Sequence, residues 1–324
     1  MRLGVLTNPD SRRNRRHLGE VRELLREYPD VLSREGRDPP ELESAVKAML
    51  DDDVSLLAVN GGDGTVQSVL STLLRDESVE RVPALVLLRG GTTNMNADDV
   101  GPRGRVLPAL RRTLELAGTD ADRVPSCCRP ILRVAANGGA LLKHGMFFGA
   151  GAIVNGIEYC HRKVHSRGFK DGVAPGLCAL RMLYAMARSD ATLAAPVPMR
   201  IRPSPSPEWL REGDWGDEQL AILASTLERL FLGLRPYWGE NRGPIYFTAL
   251  RARPVRPWRA MPALFWGRPG PLATPNNGYT SGKFDALQVE MDGPITLDGE
   301  IYPVAKKDGP LCLSVGGWVT FLQP

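Results

Sequence analysis

Several things are scarce or missing in this sequence of 324 residues. No stretch approaches the roughly 18 consecutive apolar residues that a helix needs to cross a hydrocarbon core, so no bilayer span is expected. The opening, Met1-Arg2-Leu3-Gly4-Val5-Leu6-Thr7-Asn8-Pro9, lacks the long apolar centre of a secretory signal and reads as a strand that turns at once. The five cysteines are odd in number, show no Cys-x-x-Cys spacing, and include the adjacent pair Cys127 and Cys128. Reduced thiols in a cytoplasmic protein follow from that pattern. A dense basic tract is also missing: 41 Lys and Arg stand against 37 Asp and Glu, for a net charge of +4. Nucleic acid is therefore not expected as a partner, whereas an anionic substrate or surface is compatible with the mild excess. No internal repeat or low-complexity segment is evident. What is present, 43% hydrophobic and 24% charged residues, is the composition of a globular chain long enough for two domains.

The first third alternates apolar runs with helical periodicity. Leu3–Thr7 reads as a strand, and Leu18, Val21, Leu24, Leu25 and Tyr28 then fall on one helical face. Leu42, Ala45, Val46, Met49 and Leu50 mark a second helix. Val54–Val59 is a buried-strand run, followed by a helix with Val66, Val69, Leu70, Leu73 and Leu74. Ala84–Leu88 is another strand, and a helix over Val106–Ala117 closes the unit. Such alternation predicts a parallel sheet covered on both faces, an α/β domain over residues 1–126.

From about residue 127 the pattern becomes strand-like, at Ile131–Ala135, Ala140–Phe148, Val197–Arg202, Gln219–Ser225, Ile245–Leu250, Phe284–Glu290 and Leu311–Val315. Asn137-Gly138 between the first two is a hairpin signal, because both residues take positive φ readily. One helical pattern, Leu177–Ala187, interrupts the strands, and the proline-bearing stretch Arg202–Gly216 reads as an exposed loop. A mostly antiparallel, β-rich domain over 127–324 is expected, with its C-terminal tail returning to the first domain.

Two glycine turns stand at the ends of successive strands: Asn60-Gly61-Gly62-Asp63-Gly64-Thr65 and Arg89-Gly90-Gly91-Thr92-Thr93-Asn94. Open α/β sheets bind ligands at the carboxyl ends of their strands. Glycines there let backbone N–H groups approach phosphate oxygens, and the following helix directs its positive end at the same oxygens. An aspartate so placed repels phosphate unless a cation lies between, so Asp63 implies Mg²⁺ or a metal-bound water. One such turn is readily explained as a tight connection; two in succession point to a phosphate site. That site is not a P-loop, since Gly278-Tyr279-Thr280-Ser281-Gly282-Lys283-Phe284 is one residue short and lacks the metal-binding hydroxyl. Gly149-Ala150-Gly151 continues to Val154, so a dinucleotide fingerprint fails as well.

Gly61–Thr65 and Gly91-Thr92-Thr93-Asn94 resemble the paired nucleotide motifs of the diacylglycerol kinase catalytic domain family, which includes bacterial lipid kinases, sphingosine kinases and ceramide kinases. Leu297-Asp298-Gly299-Glu300 is similar to that family's late Asp-Gly-Glu element, and Asn8-Pro9 with Ser11 resembles its opening nucleotide loop. The resemblance implies two domains with ATP in the cleft between them. It implies that Asn8, Ser11, Gly61, Gly62, Asp63, Gly64, Thr65, Thr92 and Asn94 hold the nucleotide, with Asp63 meeting the Mg²⁺. It makes Glu300 the general base, with Asp298 as its acidic neighbour and Asp63 as a further catalytic carboxylate. A positioned carboxylate suits that task, because an alkyl hydroxyl must lose its proton as it accepts a phosphoryl group. The departures are Met95, where the family often has an acidic residue, and Arg12, where it usually has glycine. The region Asn241-Arg242-Gly243-Pro244-Ile245-Tyr246 lacks the aspartate of a structural Mg²⁺ site seen in bacterial members.

The expectation is thus an ATP-dependent lipid kinase, peripheral on the inner membrane face, that phosphorylates a lipid hydroxyl. Diacylglycerol is the first choice of lipid and a ceramide or sphingoid base the second. The alternatives are a soluble-metabolite kinase of the NAD kinase type and a non-catalytic nucleotide-binding homologue. Three weaker features have plain explanations. Cys160, His161 and His165 lack a fourth ligand for a metal and read as a solvated helix face. The basic cluster His161, Arg162, Lys163, His165, Arg167 and Lys170 is either such a face or a headgroup contact. Leu177, Leu180, Met182, Leu183, Tyr184, Met186 and Ala187 suit core packing or the lining of an acyl-chain cleft.

Overall fold

The computed structural model describes residues 1–75, 81–118, 124–136, 139, 141–163, 194–204, 218–239 and 243–324. The chain divides into two compact units. The first holds Met1–Ile131 with Arg229–Phe231 and Gly316–Pro324; the second holds Leu132–Glu228 and Leu232–Val315.

The first unit is the predicted α/β domain. Its strands are β1 (Leu3–Thr7), β2 (Leu32–Glu35), β3 (Leu56–Gly61) and β4 (Ala84–Arg89). Its helices are α1 (Asn14–Arg26), α2 (Pro39–Asp51), α3 (Asp63–Arg75), α4 (Met95–Val100) and α5 (Val106–Leu114). All strand pairs are parallel, in the order β2-β1-β3-β4, and Phe321 at the chain's end pairs beside Leu85. Period-2 alternation sends Leu56 and Ala58 to one face, where they pack with Val21, Leu24, Val106 and Leu110 of α1 and α5. Helix α2 shows how locally the starts are encoded. The Asp38 carboxylate accepts the Glu41 N–H at 2.9 Å, and Glu41 in turn accepts the Arg37 N–H at 2.8 Å, with Pro39 in the first turn where no donor is needed. Strands β2 and β3 flank β1, so the sequence order reverses between β1 and β3, and the crevice outside their carboxyl ends is where such sheets bind ligands.

The second unit is antiparallel and β-rich. It contains the C-terminal part of β5 (Ser126–Ala136), then β6 (Leu142–Gly145), β7 (Phe147–Gly151), α6 (Ala152–Lys163), β8 (Val197–Ser204), β9 (Glu218–Ser225) and β10 (Ile245–Arg251). After these come α7 (Pro257–Leu264), β11 (Tyr279–Phe284), β12 (Ala286–Met291), β13 (Gly293–Leu297), β14 (Glu300–Val304) and the first residues of β15 (Leu311–Leu322). β7 lies between β9 and β13, β9 also pairs with β10, and β12 pairs with β8 and β15. Phe148, Phe247, Phe284, Ile222, Leu287 and Leu313 meet in its core.

Three departures from the sequence reading have physical causes. The run Ala140–Phe148 is two strands rather than one: β6 pairs with β5, and β7 turns away to β9 and β13. The break falls at Met146, because the Asp298 carboxylate accepts the N–H of Met146 at 3.0 Å and of Phe147 at 3.0 Å. Gly278–Phe284, tested above as a phosphate loop, is strand β11. Helix α7 escaped notice because prolines bracket and interrupt it, although Pro257 at its first turn is well tolerated. The segments containing Asn137-Gly138, His165–Lys170 and Leu177–Ala187 lie outside the described residues.

Asp298 is 3% exposed and Gly145 sits against it, a Cβ there meeting Asp298 Oδ2 at 2.5 Å. Asp298→Ala strands two buried amides and should cost on the order of 2–4 kcal/mol. Urea unfolding followed by circular dichroism reads this loss, and Asp298→Asn, which keeps one acceptor, should recover part of it.

Candidate active site

Three loops leave the carboxyl ends of β1, β3 and β4 and interlock. At the first, the Asn8 N–H donates to the Asn60 carbonyl at 2.9 Å, and Asn8 Nδ2 donates to Thr65 Oγ1 at 3.0 Å. Asn8 Oδ1 accepts the Asp10 N–H at 2.9 Å, an Asx turn that carries the chain over Pro9. Ser11 follows, half-buried, its N–H reaching the Asn8 carbonyl at 3.3 Å. The Arg13 N–H donates to the Gly90 carbonyl at 3.0 Å, joining this loop to the third.

The second and third loops touch through bare backbone. A Cβ on Gly62 would lie 3.3 Å from Gly91 Cα, and a Cβ on Gly91 would land on Gly62 Cα. Gly61 is equally constrained, since a Cβ there would meet the Thr65 side chain at 2.5 Å. Glycine is thus demanded by the approach of one turn to the other. Asn94 holds the third loop closed: its Oδ1 accepts the Gly91 N–H at 2.7 Å and its Nδ2 donates to the Gly91 carbonyl at 3.0 Å. It does so at φ 54°, a left-handed conformation that asparagine tolerates better than most residues. Thr92 stands half-buried within that closed loop, and Gly64 and Thr65 form the first turn of α3.

Asp63 opens α3, and its carboxylate accepts the backbone N–H of Met95 at 3.1 Å and of Asn96 at 2.9 Å. Those are free donors at the start of α4, so Asp63 ties the first glycine turn to the helix after the second. The sequence reading allowed an aspartate here only with a cation; these two amides are a second way to hold its charge. Burial pushes the Asp63 carboxyl up from 3.8 to about 6, against the N–H groups of Asn96, Met95 and Asn94, with Asp98 nearby adding to the rise.

Asn14 and Asn60 belong to the same floor and were not among the residues singled out from sequence. Asn14 Nδ2 donates to the carbonyls of Asn8 at 2.8 Å and Asn60 at 2.9 Å, tying β1 to β3. Gly90 lies over them, a Cβ there falling 2.8 Å from both side chains. Only a polar residue within the apolar strand β3, Asn60, and the polar start of a helix, Asn14, hinted at this in the sequence. The structure therefore brings Asn8, Gly61, Gly62, Asp63, Thr65, Gly91 and Asn94 together in the first unit.

Asp298 and Glu300 belong to the second unit and flank Gly299 in the β13–β14 turn. Asp298, at φ 49°, is buried and engaged by the Met146 and Phe147 amides, whereas Glu300, first residue of β14, is exposed. No group of three His, Cys, Asp or Glu side chains able to hold a metal ion occurs among the described residues.

Residues 2–123, which include all three interlocked loops, match the diacylglycerol kinase catalytic domain. The match covers the glycine motifs and lies within the first unit. The whole chain is also similar in fold to solved structures from Bacillus anthracis str. Sterne. A candidate diacylglycerol kinase gives a TM-score of 0.65 at 16% identity, covering 100% of this chain and 95% of that one. A diacylglycerol kinase structure gives 0.60 at 14%, covering 100% of this chain and 97% of that one. At such identity the likeness is one of fold, and it extends over both units. No curated protein matches the chain in sequence.

Two outcomes follow from this geometry. Gly91→Ala forces the two turns apart and should destabilise the first unit by about 2–3 kcal/mol. Denaturant melts followed by circular dichroism read that loss. Because the folded carboxyl of Asp63 binds its proton more tightly than the unfolded one, its contribution is fully present below about pH 4 and is lost as pH rises through about 6. The stability of wild type relative to Asp63→Asn should therefore fall across that window and level off above it, in denaturant melts at a series of pH values.

Proposed function

We propose that this protein is a lipid kinase that transfers the γ-phosphoryl group of ATP to a lipid hydroxyl, giving ADP and a phosphorylated lipid. The observation that carries this reading is the closure of two glycine turns on each other beside the N-terminus of α3, within a stretch that matches a diacylglycerol kinase catalytic domain. Backbone donors in such turns can surround phosphate oxygens, and α3, 13 residues long, adds the positive end of its dipole. Gly61, Gly62, Gly64 and Thr65 would hold the phosphates, with Asn8, Ser11, Thr92 and Asn94 shaping the nucleotide pocket around them.

The donor set fits magnesium as a companion of the nucleotide better than as a resident ion. Asp63 is the one carboxylate among the described residues in the glycine turns, and both its oxygens already accept backbone N–H groups. Mg²⁺ commonly binds through one carboxylate plus phosphate oxygens and water, and there it would offset charge on the phosphates. The Asp63 carboxylate holds the two turns in register and is available to such an ion directly or through water.

Glu300 is the proposed general base. Its exposure leaves it free to meet a substrate hydroxyl, while the buried Asp298 fixes the turn that presents it. A carboxylate at that hydroxyl takes the proton as the oxygen attacks the γ-phosphorus, and this typically contributes about 10²–10⁴-fold. Diacylglycerol is the first lipid to offer, and a ceramide or sphingoid base the second.

Glu300→Gln should keep ATP affinity near that of wild type and lower kcat by about 10²–10⁴-fold, since a base acts mainly in the transition state. Calorimetry for ATP binding and labelled-phosphate transfer to a lipid panel, run on both proteins, read the two quantities. Equal transfer by both would remove Glu300 from the mechanism. Transfer to a soluble acceptor and to no lipid would replace this reading with a metabolite kinase.

A further inference from the structure

From Arg251 to Phe284 the chain contains no Asp or Glu, while it carries Arg251, Arg253, Arg256, Arg259, Arg268 and Lys283. The rest of the sequence is nearly balanced in charge, so this segment accounts for more than the whole net excess of +4. It contains helix α7, and α7 is apolar on two sides. Ala260, Met261 and Leu264 face inward and are buried against Leu220, Leu250 and Tyr279. Trp258 and Pro262 on the helix, with Val255 and Trp266 just beyond its two ends, are exposed. Trp258 is 59% exposed and Trp266 57%, among the most exposed large apolar side chains described.

A helix apolar on both faces is ordinarily buried on both. Here the second face is bare and ringed by cations. Arg253, Arg256, Arg259 and Arg268 are exposed and make no ion pair among the described residues. The Arg259 guanidinium lies over the Trp258 ring at 4.7 Å. The platform is held firmly from behind: the Val255 N–H donates to the Asn277 carbonyl at 2.9 Å, and its own carbonyl accepts Tyr279 Oη at 2.8 Å.

We propose that this face of α7 is a docking surface for an anionic lipid bilayer. Tryptophan prefers the headgroup level, where its ring is half in hydrocarbon and its N–H remains solvated. Arginines around it meet lipid phosphates while their stems lie along the apolar boundary. An exposed apolar stripe with a one-signed basic rim is the composition that interfacial helices use, and the absence of any carboxylate over the segment is charge complementarity to such a surface. The inference deepens the lipid-kinase reading and rests on it for purpose, since a kinase of membrane lipids must reach them. The binding itself can be measured without any catalysis.

The test is co-sedimentation of the full chain with vesicles of phosphatidylcholine, or of phosphatidylcholine and phosphatidylglycerol in equal parts. Wild type should bind the anionic vesicles, more weakly as salt is raised, with tryptophan emission shifting to the blue. Trp258→Ala with Trp266→Ala should lose most of that shift and weaken binding at least tenfold. Replacing Arg253, Arg256 and Arg259 by glutamine should cost roughly fivefold for each charge removed. Every substituted side chain is exposed, and unchanged circular dichroism and ATP binding confirm folded variants. Equal vesicle binding by wild type and both variants overturns the proposal. So does a change of oligomeric state in the variants without loss of vesicle binding, which gives the face to a second copy instead. If vesicles bind as expected but no lipid is phosphorylated, the docking surface stands and the kinase reading fails.

Discussion

The three interlocked loops of the first unit depend on one close approach, the backbone contact between Gly62 and Gly91. Two strand-to-helix turns can pass at that range only if neither carries a side chain. Once they do, the Asp63 carboxylate can reach across to the amides that open α4. Asn94 then needs its left-handed backbone to close its own loop on Gly91. Each of these features is unfavourable alone: bare glycine costs chain entropy, a buried carboxylate costs hydration, and positive φ costs strain. They are compatible because each supplies what the next lacks.

The parallel sheet supplies the position and the antiparallel unit supplies a different kind of rigidity. In the first unit, β2-β1-β3-β4 sets the reversal of strand order beside which the turns assemble. In the second, a buried carboxylate again takes backbone amides, now those of Met146 and Phe147. Asp63 and Asp298 therefore solve the same problem. A loop must be held in one geometry, and a carboxylate that accepts two backbone N–H groups fixes it with charge-assisted bonds.

The α/β architecture was legible because its signals are local. Apolar periodicity marked the faces of α1, α2, α3 and α5, and glycines marked the ends of β3 and β4, whereas the short β2 and α4 carried too few residues for a period to show. The β-rich unit was legible only in outline. Strands β11, β13 and β14 are short, and Tyr279–Phe284 carries a glycine and a lysine inside it, so no clean alternation shows. The break at Met146 could not be read near Met146, since its cause lies at Asp298. Helix α7 was hidden by the prolines that shape it. In the site, glycine and aspartate were visible as types, while the contacts that explain them run between separate loops. Asn14 went unmarked for that reason: a buried amide bridging two strand ends looks in sequence like any polar residue at an element's edge.

The last strand has a consequence for how the chain is made. Phe321 adds to the parallel sheet beside Leu85, and the amide of Met146 waits for a carboxylate 152 residues further on. Neither unit can finish folding until β13 to β15 have been made, because each is closed by residues of those strands or of the turn between them. Contacts of such long sequence separation slow folding and leave unpaired strand edges exposed in the interval. Until β15 is made, β4 offers a bare edge on the side that β15 will cover, and the nascent protein is vulnerable to mispairing there.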